Sequence, residues 1–212
     1  MNLGKIDFRT FDRTWIVFDK KSDIKKICKK LKIKEKDGIF LGYVYISHEE
    51  GMQIKVAGHV YLDEDEYSLE QDMIYKKSTI DFNKKLKYHI KPISDEIIKN
   101  IRYTDQIKYH YESLYNRNSI VESRKIKEID EFRNESFIDD IELTFKYKEK
   151  EEFIWARIED CSKEKLIFVC SLLEKSKLNK NYKEKTLVLA KVIQEKNEID
   201  LVIDGIVDKV EK

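Results

Sequence analysis

Ile141-Glu142-Leu143-Thr144-Phe145-Lys146-Tyr147 alternates apolar and polar side chains without a break. Successive side chains of a strand point to opposite faces, so this period of two describes a strand with one buried and one wet face. A Lys/Glu turn leads on to Phe153–Glu159, and Asp160–Lys165 leads to Leu166–Ser171. Thr186–Gln194 and Ile199–Asp204 complete the series, separated by Glu195-Lys196-Asn197-Glu198. Five strands in about 70 residues, joined mostly by short polar turns, predict a small antiparallel β domain that is barrel-like. The connection Leu172–Lys185 is longer and has room for a helical turn.

Working back from that stretch, the texture is mixed. Thr14–Phe18 reads as a strand because aromatic and β-branched residues dominate it. Ser22 or Asp23 is placed to cap a helix running to about Leu31, with Ile24, Ile27, Cys28 and Leu31 as its apolar stripe. Ile39–Ser47 and Met52–Leu62 read as a hairpin around His48-Glu49-Glu50-Gly51. In the second run Ile54, Val56, Gly58 and Val60 alternate with Gln53, Lys55, Ala57 and His59, which predicts one buried face. Asp63–Glu66 is an acidic loop, Tyr67–Lys76 a short helix, and Ser78–Phe82 with Leu86–Ile90 a further hairpin ended by Pro92.

From Ser94 as cap, Asp95 to about Arg117 reads as one helix. Asn116-Arg117-Asn118 breaks it, and Ser119-Ile120-Val121-Glu122 fits a capping box that opens a second helix ending near Arg133. The expected architecture is therefore α+β. Residues 1–134 form a mixed sheet-and-helix unit with a central helical pair at about 94–133, and residues 135–212 form the five-stranded β domain.

Composition narrows the class. Charged residues make up 39% of the 212 residues, yet 42 basic and 41 acidic groups leave a formal net charge of +1. Apolar residues at 41% are too many for a disordered polyelectrolyte. The first twenty residues contain no apolar run of signal-peptide length, and Ile39–Ile46 and Leu166–Cys170 fall far short of the ~20 residues that span a bilayer. Three cysteines, Cys28, Cys161 and Cys170, form no disulfide framework and suggest reduced thiols. The expectation is a cytoplasmic protein without membrane contact, and the Lys, Ile, Glu and Asn content suggests an AT-rich bacterial genome.

The near-neutral total conceals blocks of opposite sign. Residues 1–62 carry 13 basic and 8 acidic groups, and residues 63–76 carry 1 and 6. Residues 77–133 carry 13 and 9, and residues 134–212 carry 15 and 18.

Signatures of chemistry are sparse. The six glycines form no phosphate-binding loop, and His48, His59, His89 and His110 stand apart without metal-ligand spacing. Cys161 and Cys170 read as packed residues of adjacent strands, and Cys28 as part of its helix's apolar stripe. No catalytic residue, cofactor or metal is assigned. Two features rise above this background. Lys20–Lys36 holds nine lysines against Asp23 and Glu35, and the segment 102–117 interleaves Tyr103, Tyr109 and Tyr111 with Lys108 and Arg117. Lysine clusters neutralise phosphates, and aromatic rings stack on unpaired bases.

Three functional readings follow. The first is a non-enzymatic protein-interaction module that uses the β domain and helical pair to bind a protein partner or a second copy of itself. The second is nucleic-acid binding through Lys25, Lys26, Lys29, Lys30, Tyr103, Tyr109, Tyr111 and Arg117. The third is an enzyme whose site assembles only in space, with His59 or His89 beside acidic residues.

Overall fold

The computed structural model describes residues 8–35, 38–70, 78–82, 88–115, 117–195 and 198–207. The chain divides into two compact units, Met1–Tyr115 and Asn116–Lys212. The architecture is α+β, a mixed sheet with helices in one unit and a closed five-stranded barrel in the other.

The first unit is built on strands β1 (Trp15–Phe18), β2 (Ile39–Ser47), β3 (Gly51–Asp63), β4 (Glu66–Leu69), β5 (Thr79–Asp81), β6 (Lys91–Ile93) and β7 (Ile101–Arg102). They form one sheet in the order β6-β1-β2-β3-β4-β7, with β5 also paired to β3. Helices α1 (Lys21–Leu31), α2 (Asp95–Ile98) and α3 (Thr104–Tyr115) complete the unit.

In β2, apolar residues occupy both parities, as a strand covered on both faces requires. One face carries Trp15, Leu41, Tyr43, Tyr45, Ala57 and Leu69, packed with Ile98, Ile101, Ile107 and Tyr111 of the α2–α3 region. On the other, Gly42 lets Ile54, Phe18 and Ile16 close in: a Cβ there would lie 2.7 Å from Ile54. Pairing jumps from Leu41↔Gly58 to Gly42↔Val56, so Ala57 is an extra residue and Gly58, at φ 125°, accommodates the bulge.

Several expectations about this unit are corrected. The single buried face expected for β3 is wrong, because Gln53, Lys55 and Ala57 are buried as fully as Ile54 and Val56. The short helix expected at Tyr67–Lys76 is a strand at Glu66–Leu69, while 71–77 lie outside the described residues. The acidic loop is a two-residue hairpin turn, with Glu64 and Asp65 both at positive φ. Thr79–Asp81 pairs with β3 rather than with Leu86–Ile90, of which Tyr88–Ile90 are not strand and 86–87 lie outside the described residues.

Pro92 does not end a hairpin. It sits within edge strand β6 opposite Ile16, a position where its missing N–H is tolerated. Nor do Ser22 or Asp23 cap α1. The N-cap is Lys20, and the Asp23 carboxylate accepts the His89 N–H at 2.8 Å.

The single helix expected from Asp95 to Arg117 is broken after one turn. Ser94 occupies its N-cap position, but its hydroxyl makes no cap bond. Ile101 and Arg102 then extend to pair in parallel with Tyr67 and Ser68, and Tyr103 turns the chain at φ 71° into α3. Pairing with β4 overrides helical propensity here. The Arg102 side chain reinforces it, since Nε donates to Ser68 Oγ at 2.8 Å and the guanidinium pairs with Asp63 and Glu66.

The second unit opens with α4 (Asn118–Arg124), whose N-cap is Arg117 rather than the expected capping-box Ser119. Glu122 pairs with Lys125 and Lys163 instead of turning back on the backbone. The helix stops at Arg124, nine residues short of expectation, because the following chain drops Ile126 and Ile129 into the barrel core before a short 3-10 turn at Asp130–Phe132. Arg124 grips Asp139 through two bonds of 2.9 and 2.7 Å, and Arg133 donates to the carbonyls of Ile138 and Ser123.

The barrel strands are β8 (Asp140–Tyr147), β9 (Lys150–Ser162), β10 (Ile167–Leu172), β11 (Leu187–Glu195) and β12 (Glu198–Ile206), closed in the order β10-β11-β12-β8-β9. Neighbours in sequence pair antiparallel. Five is odd, so the first and last strands run the same way and the closing seam, Val202↔Thr144, is parallel. Ile141, Leu143 and Phe145 point inward, as their alternation requires, beside Ile154, Ala156, Ile158, Phe168, Cys170 and Leu172. The connection after β10 holds no helical turn. It folds around Glu152, whose carboxylate accepts the Ser176 hydroxyl and the N–H groups of Lys177 and Leu178. Tyr182 of that loop packs on Phe145 with ring centroids 4.3 Å apart.

Candidate functional site

Strands β9, β10 and β11 place an apolar strip on the outside of the barrel. Ile154, Ala156 and Ile158 fill the inward parity of β9, so Phe153 and Trp155 face out. The Leu173 N–H donates to the Trp155 carbonyl at 2.9 Å, which sets Leu173 beside Trp155. Across the next ladder Ser171 faces Leu187 and Val169 faces Leu189. Phe153 is 61% exposed, Leu187 41% and Leu173 37%, while Trp155, Val169 and Leu189 are half-buried. Glu174 fixes the rim by accepting the Trp155 N–H at 3.0 Å, and Arg157 is held by Asp140 at 2.6 and 3.0 Å. The strip is therefore apolar, with Arg157 at its border paired to Asp140 and Glu174 bonded to the Trp155 backbone.

These residues were not singled out from sequence. The available signal was in Phe153–Ile158, where Phe153 and Trp155 interrupt the alternation that a singly buried strand shows. Apolar residues at both parities on a barrel with only one interior leave one set outside.

The lysines singled out earlier do share a surface: Lys25, Lys26, Lys29 and Lys30 all lie on the exposed side of α1. The tyrosines do not join them. Tyr111 is buried, Tyr103 is half-buried at its positive φ, and Tyr109 alone of the three is open to solvent at 76%. No apolar side chain of α1 belongs to the cluster that α3 helps form. Arg117 belongs to the second unit and pairs with Glu159 at 3.8 Å.

Beneath α3 lies a polar arrangement that the sequence pattern did not signal. Lys55 is 0% exposed, and its ammonium donates to Ser78 Oγ at 2.8 Å while lying 5.9 Å from the Tyr111 ring centre. Ser78 in turn donates to the Val56 carbonyl at 2.8 Å. Tyr45 packs at a tilt on Tyr111, centroids 4.6 Å apart, and stacks on Tyr115 at 4.9 Å. Burial and neighbouring phenols push the Tyr45 hydroxyl well above its ordinary range, and burial raises Tyr111 to about 12. Lys–Ser pairs can activate a serine as nucleophile. Here both groups are buried and the Ser78 proton is committed to a backbone carbonyl, so the pair holds β3 to its neighbour.

His59 packs on Phe40 with centroids 5.8 Å apart, and its Nδ1 is buried without a hydrogen-bond partner. His89 contributes its backbone N–H to Asp23. Cys170 is fully buried and burial pushes its thiol up; Cys161, also raised by burial, donates to the Ser119 carbonyl at 3.0 Å. Among the described residues no three His, Cys, Asp or Glu side chains converge as a metal site, and no helix is long and apolar enough to cross a membrane. No protein-family model, curated protein or solved structure matches the chain.

Proposed function

We propose that this protein is a non-enzymatic, cytoplasmic interaction module and that a partner polypeptide docks on the outer face of β9, β10 and β11. The observation that carries this reading is the strip of Phe153, Trp155, Leu173 and Leu187 on a closed barrel. Contiguous exposed apolar groups mark interaction sites, and aromatic anchors dominate their energetics. Full burial of a Phe or Leu side chain contributes about 1.5–3 kcal/mol, so covering the part still exposed here adds about 0.6–1.8 kcal/mol each before the costs of association. A closed barrel has no free strand edge, so the partner cannot add a strand and must present aliphatic or aromatic side chains to the strip. Free cysteines at 28, 161 and 170, two of them buried, fit a reducing compartment.

Site-specific photo-crosslinking in cells tests the reading. A benzophenone side chain at position 153 or 187 is expected to capture the same polypeptide, and Leu173→Asp should lower the yield at least tenfold. A second copy of the chain in the adduct would identify the partner as self. Yields at 153 and 187 no higher than at exposed turn residue Glu164 would overturn the proposal.

A further inference from the structure

The other surface that calls for a partner is α1. Its apolar residues Ile24, Ile27 and Cys28 are buried, and Leu31 is half-buried, so the apolar stripe of the helix is already covered. The remaining surface is lysine. Lys21, Lys25 and Lys29 make one row at i, i+4 spacing, and Lys26 and Lys30 a second. Lys25 pairs with Glu35 and Lys26 with Asp23. Lys29, Lys30, Lys32 and Lys34 have no ion-pair partner among the described residues. They are held in place: Lys32 takes a left-handed conformation at φ 53°, and the Ile33 N–H returns to the Cys28 carbonyl at 3.0 Å, fixing the chain between Lys32 and Lys34.

The geometry points to this end of α1 as a docking surface for the phosphate backbone of double-stranded nucleic acid. Four uncommitted ammonium groups displace condensed counterions from a polyphosphate, which needs no shaped pocket. Lysine lacks the planar fork that reads base edges, and α1 contains no arginine, so binding is independent of sequence. The exposed side of α1 carries no aromatic ring, and the Tyr111 and Tyr115 rings are turned onto Tyr45, so bases of a single strand find no stacking platform here. An anionic bilayer is a poorer match, because interfacial helices insert an apolar face and the face of α1 is already used.

Filter retention of the full chain with a 20-base-pair duplex, over a salt series, tests the inference. Neutralising four phosphates gives a log–log salt slope of about −3.6. The combined variant K29Q/K30Q/K32Q/K34Q should weaken binding at least tenfold at low salt. A control with the same net charge, K175Q/K177Q/K180Q/K183Q, alters exposed lysines of the barrel unit and should weaken it less than twofold. Far-UV circular dichroism checks that both variants are folded. Absence of duplex binding at low salt would overturn the inference, as would equal losses in the two variants. Tighter binding to the single strand, or to vesicles containing phosphatidylserine, would also overturn it.

Discussion

Lys55 sets an electrostatic condition on everything packed around it. A buried ammonium needs acceptors within reach, and Ser78 Oγ at 2.8 Å with the Tyr111 ring at 5.9 Å supplies part of that environment. The phenols nearby stay protonated over a wide range, because burial disfavours their anions. Tyr43 is raised by burial and by Glu112, whose carboxylate accepts its hydroxyl at 3.2 Å. The linkage sign for Tyr111 is definite. Its folded value of about 12 lies above the unfolded value near 10, so its contribution is fully present below about pH 10 and lost as pH rises through 12. Tyr111→Phe is accordingly expected to flatten the alkaline limb of the stability profile. Denaturant melts between pH 9 and 12 check this, and an unchanged slope would contradict it.

At the scale of elements, the second unit depends on ion pairs that join the α4 region to the start of the barrel. Asp139 is buried against the forked grip of Arg124. Arg124→Met is expected to cost about 3–5 kcal/mol, because it strips the guanidinium from a buried carboxylate, and Arg124→Met with Asp139→Leu should recover most of that loss. Urea unfolding of the two variants gives the comparison. How much of each element was legible depended on what specifies it. The barrel strands were readable because one face is buried and alternation reports that directly, as at Ile141–Tyr147. In β3 both faces are buried, so the same alternation wrongly placed Lys55 on a wet face. The break at Ile101–Arg102 was invisible, since it arises from pairing with β4 some 30 residues earlier in the chain. The lysine face of α1 was visible as a run of charge, but which of its cations are engaged depends on folded neighbours such as Glu35. The strip at Phe153 and Leu187 depends on closure of the barrel, which no local pattern encodes.

At the scale of the whole molecule, the barrel cluster and the α3-side cluster each fall within one unit. Every residue of the barrel core lies between Ile126 and Ile203, and every residue of the α3-side core lies between Trp15 and Tyr115. A fragment spanning residues 116–212 is therefore expected to fold alone with a single cooperative thermal transition, and a broad, non-cooperative melt would count against it. The near-neutral total also resolves along this division: residues 1–115 hold 22 basic against 19 acidic groups, and residues 116–212 hold 20 against 22. The odd strand number of the barrel has a mechanical consequence. Because β8 and β12 run side by side in the same direction, the chain enters at one pole and leaves at the other. Pulling on the two flanks loads the seam in shear, so Thr144, bonded to Asp200 at 2.6 Å, and Val202 opposite it bear the force together rather than one after another. A meander with an even number of strands would bring both flanks to one pole and open like a zip.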